Sequence, residues 1–371
     1  MTAAGAGRAS GSEYMVWAKT RSQARYNLAS SGLMNYPLAG LPVALEDLEI
    51  SGPSWYGYEP LQKALAAKCG APEECVVAAT GTSMANHLVM AAALSPGDEA
   101  LIESPAYDPL VAVACYLGAE VRRFERRFED NFAVNAEEIA RLLTPRTRLV
   151  VLTNLHNPSG ALATVEALKA VGEAAREVGA LVLVDEVYLD AMFDEAPPTA
   201  FTLGSHFVVT NSLTKVYGLS GLRCGWAVAE ASFAERLWRL NDLFGVIPAH
   251  PAERLSLVAL ANLPAIAARS RALLEENAAV LNSFLRSRDD LEYLEHRHGT
   301  VSFPRLKNAT ARELCALLAD RYETSVVPGD FFQMPEHIRI GVGCDAATLR
   351  EGLARLGAAL DEFRARRRGD G

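Results

Sequence analysis

Seven short, β-prone runs recur between residues 76 and 229, and helix-length segments separate several of them. The runs cover 76–79, 100–103, 120–124, 148–154, 180–184, 207–211 and 225–229. Some, such as LVVL and LVLV, are almost continuously apolar, as expected for strands covered on both faces. Segments 82–94, 136–143 and 165–178 carry helical patterning. Strand–helix–strand alternation over seven strands predicts a large α/β domain built on a mostly parallel sheet.

Beyond about residue 250 the texture changes. Segments 252–260 and 267–286 read as helices, followed by short β-like runs at 300–304, 325–327 and 338–342 around a helix at 311–321, with a closing helix at 346–364. This predicts a smaller α+β unit. The expected organisation is a large domain over 46–250, a small domain over 251–371, and an N-terminal segment, 1–45, packing on the small domain. At roughly 150 residues per domain, a chain of 371 residues fits two cores. The opening string MTAAGAGRASGS has no apolar core of signal-peptide length and reads as a disordered start.

Composition narrows the classes of partner. Lys plus Arg total 36 against 45 Asp plus Glu, a net charge of −9, which argues against nucleic acid or an anionic membrane. With 50% hydrophobic and 22% charged residues, neither a disordered nor a fibrous chain is expected. No apolar stretch approaches the roughly 18 residues of a membrane helix. The six cysteines are scattered without CxxC spacing, so no metal site is expected and the chain reads as reduced and cytoplasmic. The arginines of 122–127 read as a solvated face interrupted by inward-facing Phe124 and Phe128, and Arg364 to Arg368 as a solvated helix end.

The chemistry-bearing strings follow strands. In SLTKVYGLSGLRCGW (212–226), Lys215 sits in a loop rich in Ser, Thr and Gly, and Arg223 lies eight residues on with glycines between. A lone lysine here would be a surface residue. Beside a guanidinium, however, an amine suits a phosphorylated aldehyde, the amine condensing with the carbonyl and Arg223 gripping the phosphate, with Ser212 adding a hydroxyl. ATGTSMANH (79–87) opens a helix after a strand, so Gly81, Thr82 and Ser83 form either an anion site or an ordinary N-cap. LVLVDEVYLD puts Asp185 at a strand end with Tyr188 three residues later. That carboxylate fits a helix cap, a metal ligand or the partner of a heterocycle's nitrogen, and an anionic partner would keep a pyridine ring protonated as an electron sink. Asn157 in NLHNPSG follows another strand, and alone it would be a structural turn. His87 and His156 read as locally hydrogen-bonded, and Tyr107 and Tyr188 are alternatively core aromatics.

Together, in this order, these strings resemble the class I/II aminotransferases, fold type I enzymes that use pyridoxal 5′-phosphate, over about residues 26–360. The resemblance implies a seven-stranded, mostly parallel large domain plus a smaller α+β domain. It implies that Lys215 carries the cofactor, Arg223 and Gly81–Ser83 hold its phosphate with Ser212, and Asp185 binds the ring nitrogen. Tyr188 and Asn157 would contact the ring oxygen, and Tyr107 of SPAYDPL would stack on the ring. Arg339 of HIRIGVG would anchor the substrate carboxylate, its side chain pointing away from Ile338 and Ile340 into the cleft. Gly32 of NLASSG would line the substrate pocket beside Asn157. Tyr56 of WYGYEPLQ would reach across a homodimer with shared active sites.

The implied activity is transfer of the amino group of an L-α-amino acid to a 2-oxo acid. The strings SSGLMNY and SVVPGDFF…RIGVGC are also similar to capreomycidine synthase, a pyridoxal-phosphate enzyme that cyclises a hydroxyarginine, so a lyase or cyclase of amino-acid-derived natural products is the alternative. A non-enzyme sensor domain ranks last, because the ~25 residues ahead of the fold cannot form a DNA-binding module.

Overall fold

The computed structural model describes residues 11–53, 55–307 and 309–369. The disordered start expected for 1–12 therefore lies outside the described residues up to residue 10. Ser12 opens helix α1 (Glu13–Thr20), its Oγ accepting from the Met15 N–H. A two-residue strand β1 (Tyr26–Asn27) follows, then α2 (Glu59–Cys69), which ends at Gly70 in the left-handed region.

The large sheet begins at β2 (Val76–Thr80), followed by α3 (Thr82–Ala93), β3 (Glu99–Ser104), α4 (Asp108–Tyr116) and β4 (Glu120–Glu125). It continues through α5 (Ala136–Leu142), β5 (Thr147–Thr153), α6 (Val165–Glu177), β6 (Leu181–Asp185), β7 (Phe207–Ser212) and β8 (Cys224–Val228). All seven expected strands form, in the spatial order β2–β8–β7–β6–β5–β3–β4. Only β8 runs antiparallel to its neighbours, and the other pairs are parallel.

Alternation along the strands explains the continuous apolar runs. Leu149, Val151 and Leu183 pack into one layer with Leu88 and Val89 of α3. Val150, Leu152, Val182 and Val184 pack into the other with Leu168 and Val171 of α6. Each such side chain contributes about 1.5–3 kcal/mol when fully buried, so both faces of the sheet need covering.

The rest of the chain forms α7 (Ala231–Asn241), α8 (His250–Ala261), α9 (Leu263–Arg286), β9 (Leu291–Glu292), β10 (Val301–Ser302), β11 (Arg305–Leu306) and α10 (Ala311–Tyr322). It closes with β12 (Thr324–Ser325), β13 (Val327–Pro328), β14 (Ile338–Gly341) and α11 (Ala346–Gly369). β14 is central, antiparallel to β10 and β13. The N-terminal segment reaches both parts. β1 pairs with β12, and a Cβ on Gly341 would lie 1.8 Å from the Ser30 carbonyl oxygen, so backbone meets backbone there. α1 lies against α4, with the Ser12 hydroxyl bonded to the Asp108 carboxylate. Among the described residues no single helix is long and apolar enough to cross a membrane, and the six cysteines are free.

The arginines of 122–127 depart from expectation. Phe124 is buried as expected, but so is Arg126, whose Nη1 donates to Glu103 Oε2 at 2.8 Å and whose Nε donates to the Phe132 carbonyl at 2.7 Å. The loop after β4 folds back over the end of β3, and a charge enclosed there survives because it is paired and hydrogen-bonded.

Candidate active site

The large sheet's parallel strands end at a cavity of about 620 Å³. Thr82 and Ser83 line it from the start of α3, Tyr107 from the turn after β3, and Asn157 from the turn after β5. Asp185, Tyr188, Ser212, Lys215 and Arg223 complete that wall, and Met15 and Lys19 of α1 close the other side. Nine of the residues selected from sequence are thus brought together. Gly81 and Gly32 back the wall, and Arg339 lies buried beyond it.

One end is rich in donors. Gly81 has φ +80, and a Cβ there would sit 2.3 Å from Arg223 Nη2, so the guanidinium lies directly over the glycine. Arg223 Nη2 donates to the Thr80 carbonyl at 3.3 Å. No side chain caps α3, and while the Met84 and Ala85 N–H groups donate to the Gly81 carbonyl, those of Thr82 and Ser83 are left for a ligand. The hydroxyls of Thr82 and Thr214 are buried without a partner. Unpaired donors beside a cation make an anion site.

The other end holds Asp185, which is buried. Its Oδ2 accepts from Asn86 Nδ2 at 2.8 Å and its Oδ1 from the Val187 N–H at 3.0 Å. Thr210 donates to Asn86 Oδ1 at 2.6 Å and so fixes which way that amide points. Burial pushes the Asp185 carboxyl up to about 6, opposed by the hydrogen bonds from Asn86 and Val187 and by the charge of Lys215. Asn86 was not selected from the sequence. Its signal was there, one helical turn beyond Thr82 on the same face of α3.

Lys215 stands between these ends, half-buried, its Nζ donating to Ser31 Oγ at 3.0 Å. Burial lowers its pKa, and Arg339 and Arg223 act in the same direction against Tyr14 and Asp185. A Cβ on Gly32 would lie 3.3 Å from Lys215 Cδ, which explains a small residue there. Tyr188 is buried, and burial raises its hydroxyl pKa. The Tyr107 hydroxyl meets Met15 Sδ at 3.4 Å.

Arg339 differs from expectation. Ile338 and Ile340 are buried as alternation requires, but the guanidinium does not itself line the cavity: it is fully buried behind Asn157, against Tyr14 of α1. Its Nη1 donates to Asn157 Oδ1 at 3.0 Å, and its Nη2 donates to the Tyr14 hydroxyl at 2.9 Å and the Ala29 carbonyl at 3.0 Å. Asn157 is itself anchored, its N–H donating to Thr153 Oγ1 at 2.9 Å. Thr153 Oγ1 donates onward to Glu103 Oε1 at 2.6 Å, so a line of hydrogen bonds runs from the buried Arg126–Glu103 pair to Arg339. His156 spends both ring nitrogens locally, on Pro105 and Ser159, and burial holds its pKa well below the usual range. His87 packs edge-on against Phe244. Tyr56 does not line this chain's cavity, being half-exposed beside Trp238.

A family model described as "Aminotransferase class I and II" matches residues 49–356. Capreomycidine synthase of Streptomyces vinaceus is 32% identical, over 96% of this chain and 95% of that protein. A pyridoxal-phosphate-dependent aminotransferase from Streptococcus suis superposes with a TM-score of 0.89 at 26% identity, over 94% of this chain and 97% of that one. The pyridoxal-phosphate-dependent cyclase OrfR superposes at 0.83 with 25% identity, over 91% and 93%. The chain belongs to the class I and II aminotransferases, fold type I proteins whose cofactor is pyridoxal 5′-phosphate.

Proposed function

We propose that the protein transfers the amino group of an L-α-amino acid to a 2-oxo acid. The observation that carries this reading is the convergence of Lys215, Asp185 and Arg223 on one cavity, with Asn157 joining it to Arg339.

The residues fit pyridoxal phosphate. The unpaired hydroxyls of Thr82 and Thr214 and the guanidinium over Gly81 form a cup for a phosphate, with Ser83 and Ser212 beside it. Asp185, backed by Asn86, would hold the ring nitrogen, Tyr188 and Asn157 would hold the ring oxygen, and Tyr107 would cover the ring face. When bound, the cofactor supplies an aldehyde for the substrate amine and a ring that draws electrons from the substrate Cα. Lys215 would hold the cofactor, and its amine would move the proton at the substrate Cα. Its lowered pKa leaves more free amine for that work. Arg339 fixes the α-carboxylate and thereby the direction of the Cα–H bond.

The lyase or cyclase reading draws on the full-length likeness to capreomycidine synthase. Against a cationic substrate side chain stands the cavity wall, where among the described residues Asp185 is the only carboxylate and Lys19 adds a positive charge. A panel of amino acids with 2-oxoglutarate or pyruvate as acceptor separates the readings. Formation of glutamate or alanine supports transamination. Consumption of the amino acid without any acceptor, releasing water or ammonia, rejects it.

A homodimer with shared sites is part of this proposal. Leu45 and Ile50, each 81% exposed, and Trp55, 90% exposed, are large apolar side chains close to Tyr56 in sequence, of the kind a second copy would cover. Sedimentation of the loaded enzyme at micromolar concentration should give twice the chain mass, and an active monomer would reject it.

A further inference from the structure

Tyr14 was not selected from the sequence, yet it lies at the buried end of the site. It is 6% exposed, and its ring is held edge-on by Tyr107 and Phe331, each with centroids 5.7 Å away. Its hydroxyl accepts from Arg339 Nη2, but among the described residues nothing accepts its own proton. Arg339 is in a similar position. Both Nη2 hydrogens are used, on Tyr14 and Ala29, and one Nη1 hydrogen is used on Asn157. The other Nη1 hydrogen has no acceptor among the described residues, and Nε is buried without a partner. Donors enclosed without acceptors are costly, and a carboxylate brings two acceptor oxygens.

We propose that Tyr14 is a substrate-binding residue whose hydroxyl donates to the α-carboxylate drawn in by Arg339, making α1 one wall of the carboxylate subsite. This rests on the reading of Arg339 given above. The electrostatics agree. Burial alone would raise the Tyr14 pKa, but the charges of Arg339 and Lys215 and the hydrogen bond from Arg339 outweigh it and lower the net value. A more acidic hydroxyl is a stronger donor to an anion. Met15 and Lys19, on the same short helix, already line the cavity.

The test uses the cofactor-loaded enzyme titrated with propionate, followed by the cofactor's absorbance, with propionamide as the uncharged control. Tyr14→Phe should weaken propionate binding by roughly tenfold or more, the scale of a hydrogen bond to a charged group, and leave propionamide unchanged. Phe331→Leu, which loosens the ring but keeps the hydroxyl, should bind propionate as the parent does. Unchanged propionate affinity in Tyr14→Phe overturns the proposal. Tighter affinity also overturns it, because the hydroxyl would then be an occupant that the carboxylate displaces. Arg339→Ala separates the two layers. If it too leaves propionate binding intact, the carboxylate reading of Arg339 fails, whereas if it abolishes binding and Tyr14→Phe does not weaken it, only the role of Tyr14 fails.

Discussion

The two ends of the cavity are built in opposite ways. At the cofactor end, Gly81, Thr82, Asp185, Lys215 and Arg223 each lie at or within a few residues of a strand end of one sheet. Their positions follow from strand register, and the sheet's two buried layers hold that register. At the carboxylate end, Arg339 is fixed by Tyr14, Ala29 and Asn157, partners that come from two segments remote from it in sequence, the N-terminal one and the turn after β5. No single element determines that end. It forms only when the N-terminal segment, the turn after β5 and β14 come together. The cofactor end should therefore tolerate damage elsewhere in the chain, while the carboxylate end should be sensitive to it.

The largest effect tests the cofactor end alone. Lys215→Ala should lower turnover by on the order of 10⁴-fold or more, since it removes both covalent attachment and proton transfer. Borohydride reduction of the parent enzyme followed by peptide mapping should place the pyridoxyl group on Lys215. A label on another lysine would mean that this loop is not the cofactor's anchor.

Next comes the carboxylate end. Removing one member of a buried charge pair costs about 3–5 kcal/mol, so Arg339→Ala should lose roughly a hundred- to several-thousand-fold in kcat/KM with amino acids. The variant should keep its cofactor colour, and simple amines without a carboxylate should be much less affected. If colour and activity are lost together, the two ends are not independent and the comparison above collapses.

What the sequence made legible follows the same division. Apolar runs located the seven strands, and the short strings behind them located Lys215, Asp185, Arg223 and Asn157. Arg126 was misread because β4 carries a dense charge pattern, EVRRFE, and nothing in that string reveals that the following loop folds over Glu103, 23 residues earlier in the chain. Tyr14 was invisible for a stronger reason. Its helix has only eight residues and its partner Arg339 is 325 positions away, so neither periodicity nor spacing could link them. The string around Arg339 singles it out, but its burial against Tyr14 of α1 cannot be read from alternation within β14.

A smaller effect probes how far the carboxylate end depends on its support. Glu103→Gln keeps the shape but leaves the Arg126 guanidinium facing a neutral group and weakens the bonds to Thr153. The expected loss is about 2–3 kcal/mol of folding stability, read as a lower midpoint in denaturant. Because Thr153 holds the N–H of Asn157, KM for the amino acid should rise more than cofactor affinity falls. An equal change in both would place the Arg126–Glu103 pair in general support of the sheet rather than in support of Asn157.

The last test returns to the cofactor end and uses pH. In the cofactor-free protein the Asp185 carboxyl is raised to about 6 from an ordinary 3.8, with burial as the main cause. The folded state then holds its proton where the unfolded chain has already lost it. The stabilising contribution is complete below about pH 4 and is lost as pH rises through about 6, at about 1.4 kcal/mol per pH unit within that window. Denaturant midpoints of cofactor-free parent and Asp185→Asn should therefore diverge between those limits, the variant gaining on the parent as pH rises, because an amide has no charge to be penalised. Pyridoxal phosphate should cancel the divergence, since a protonated ring nitrogen favours the ionised carboxylate. Parallel curves for the two cofactor-free proteins would mean that Asn86 and the Val187 N–H already compensate the buried charge, and that this end of the cavity is fully satisfied before the cofactor arrives.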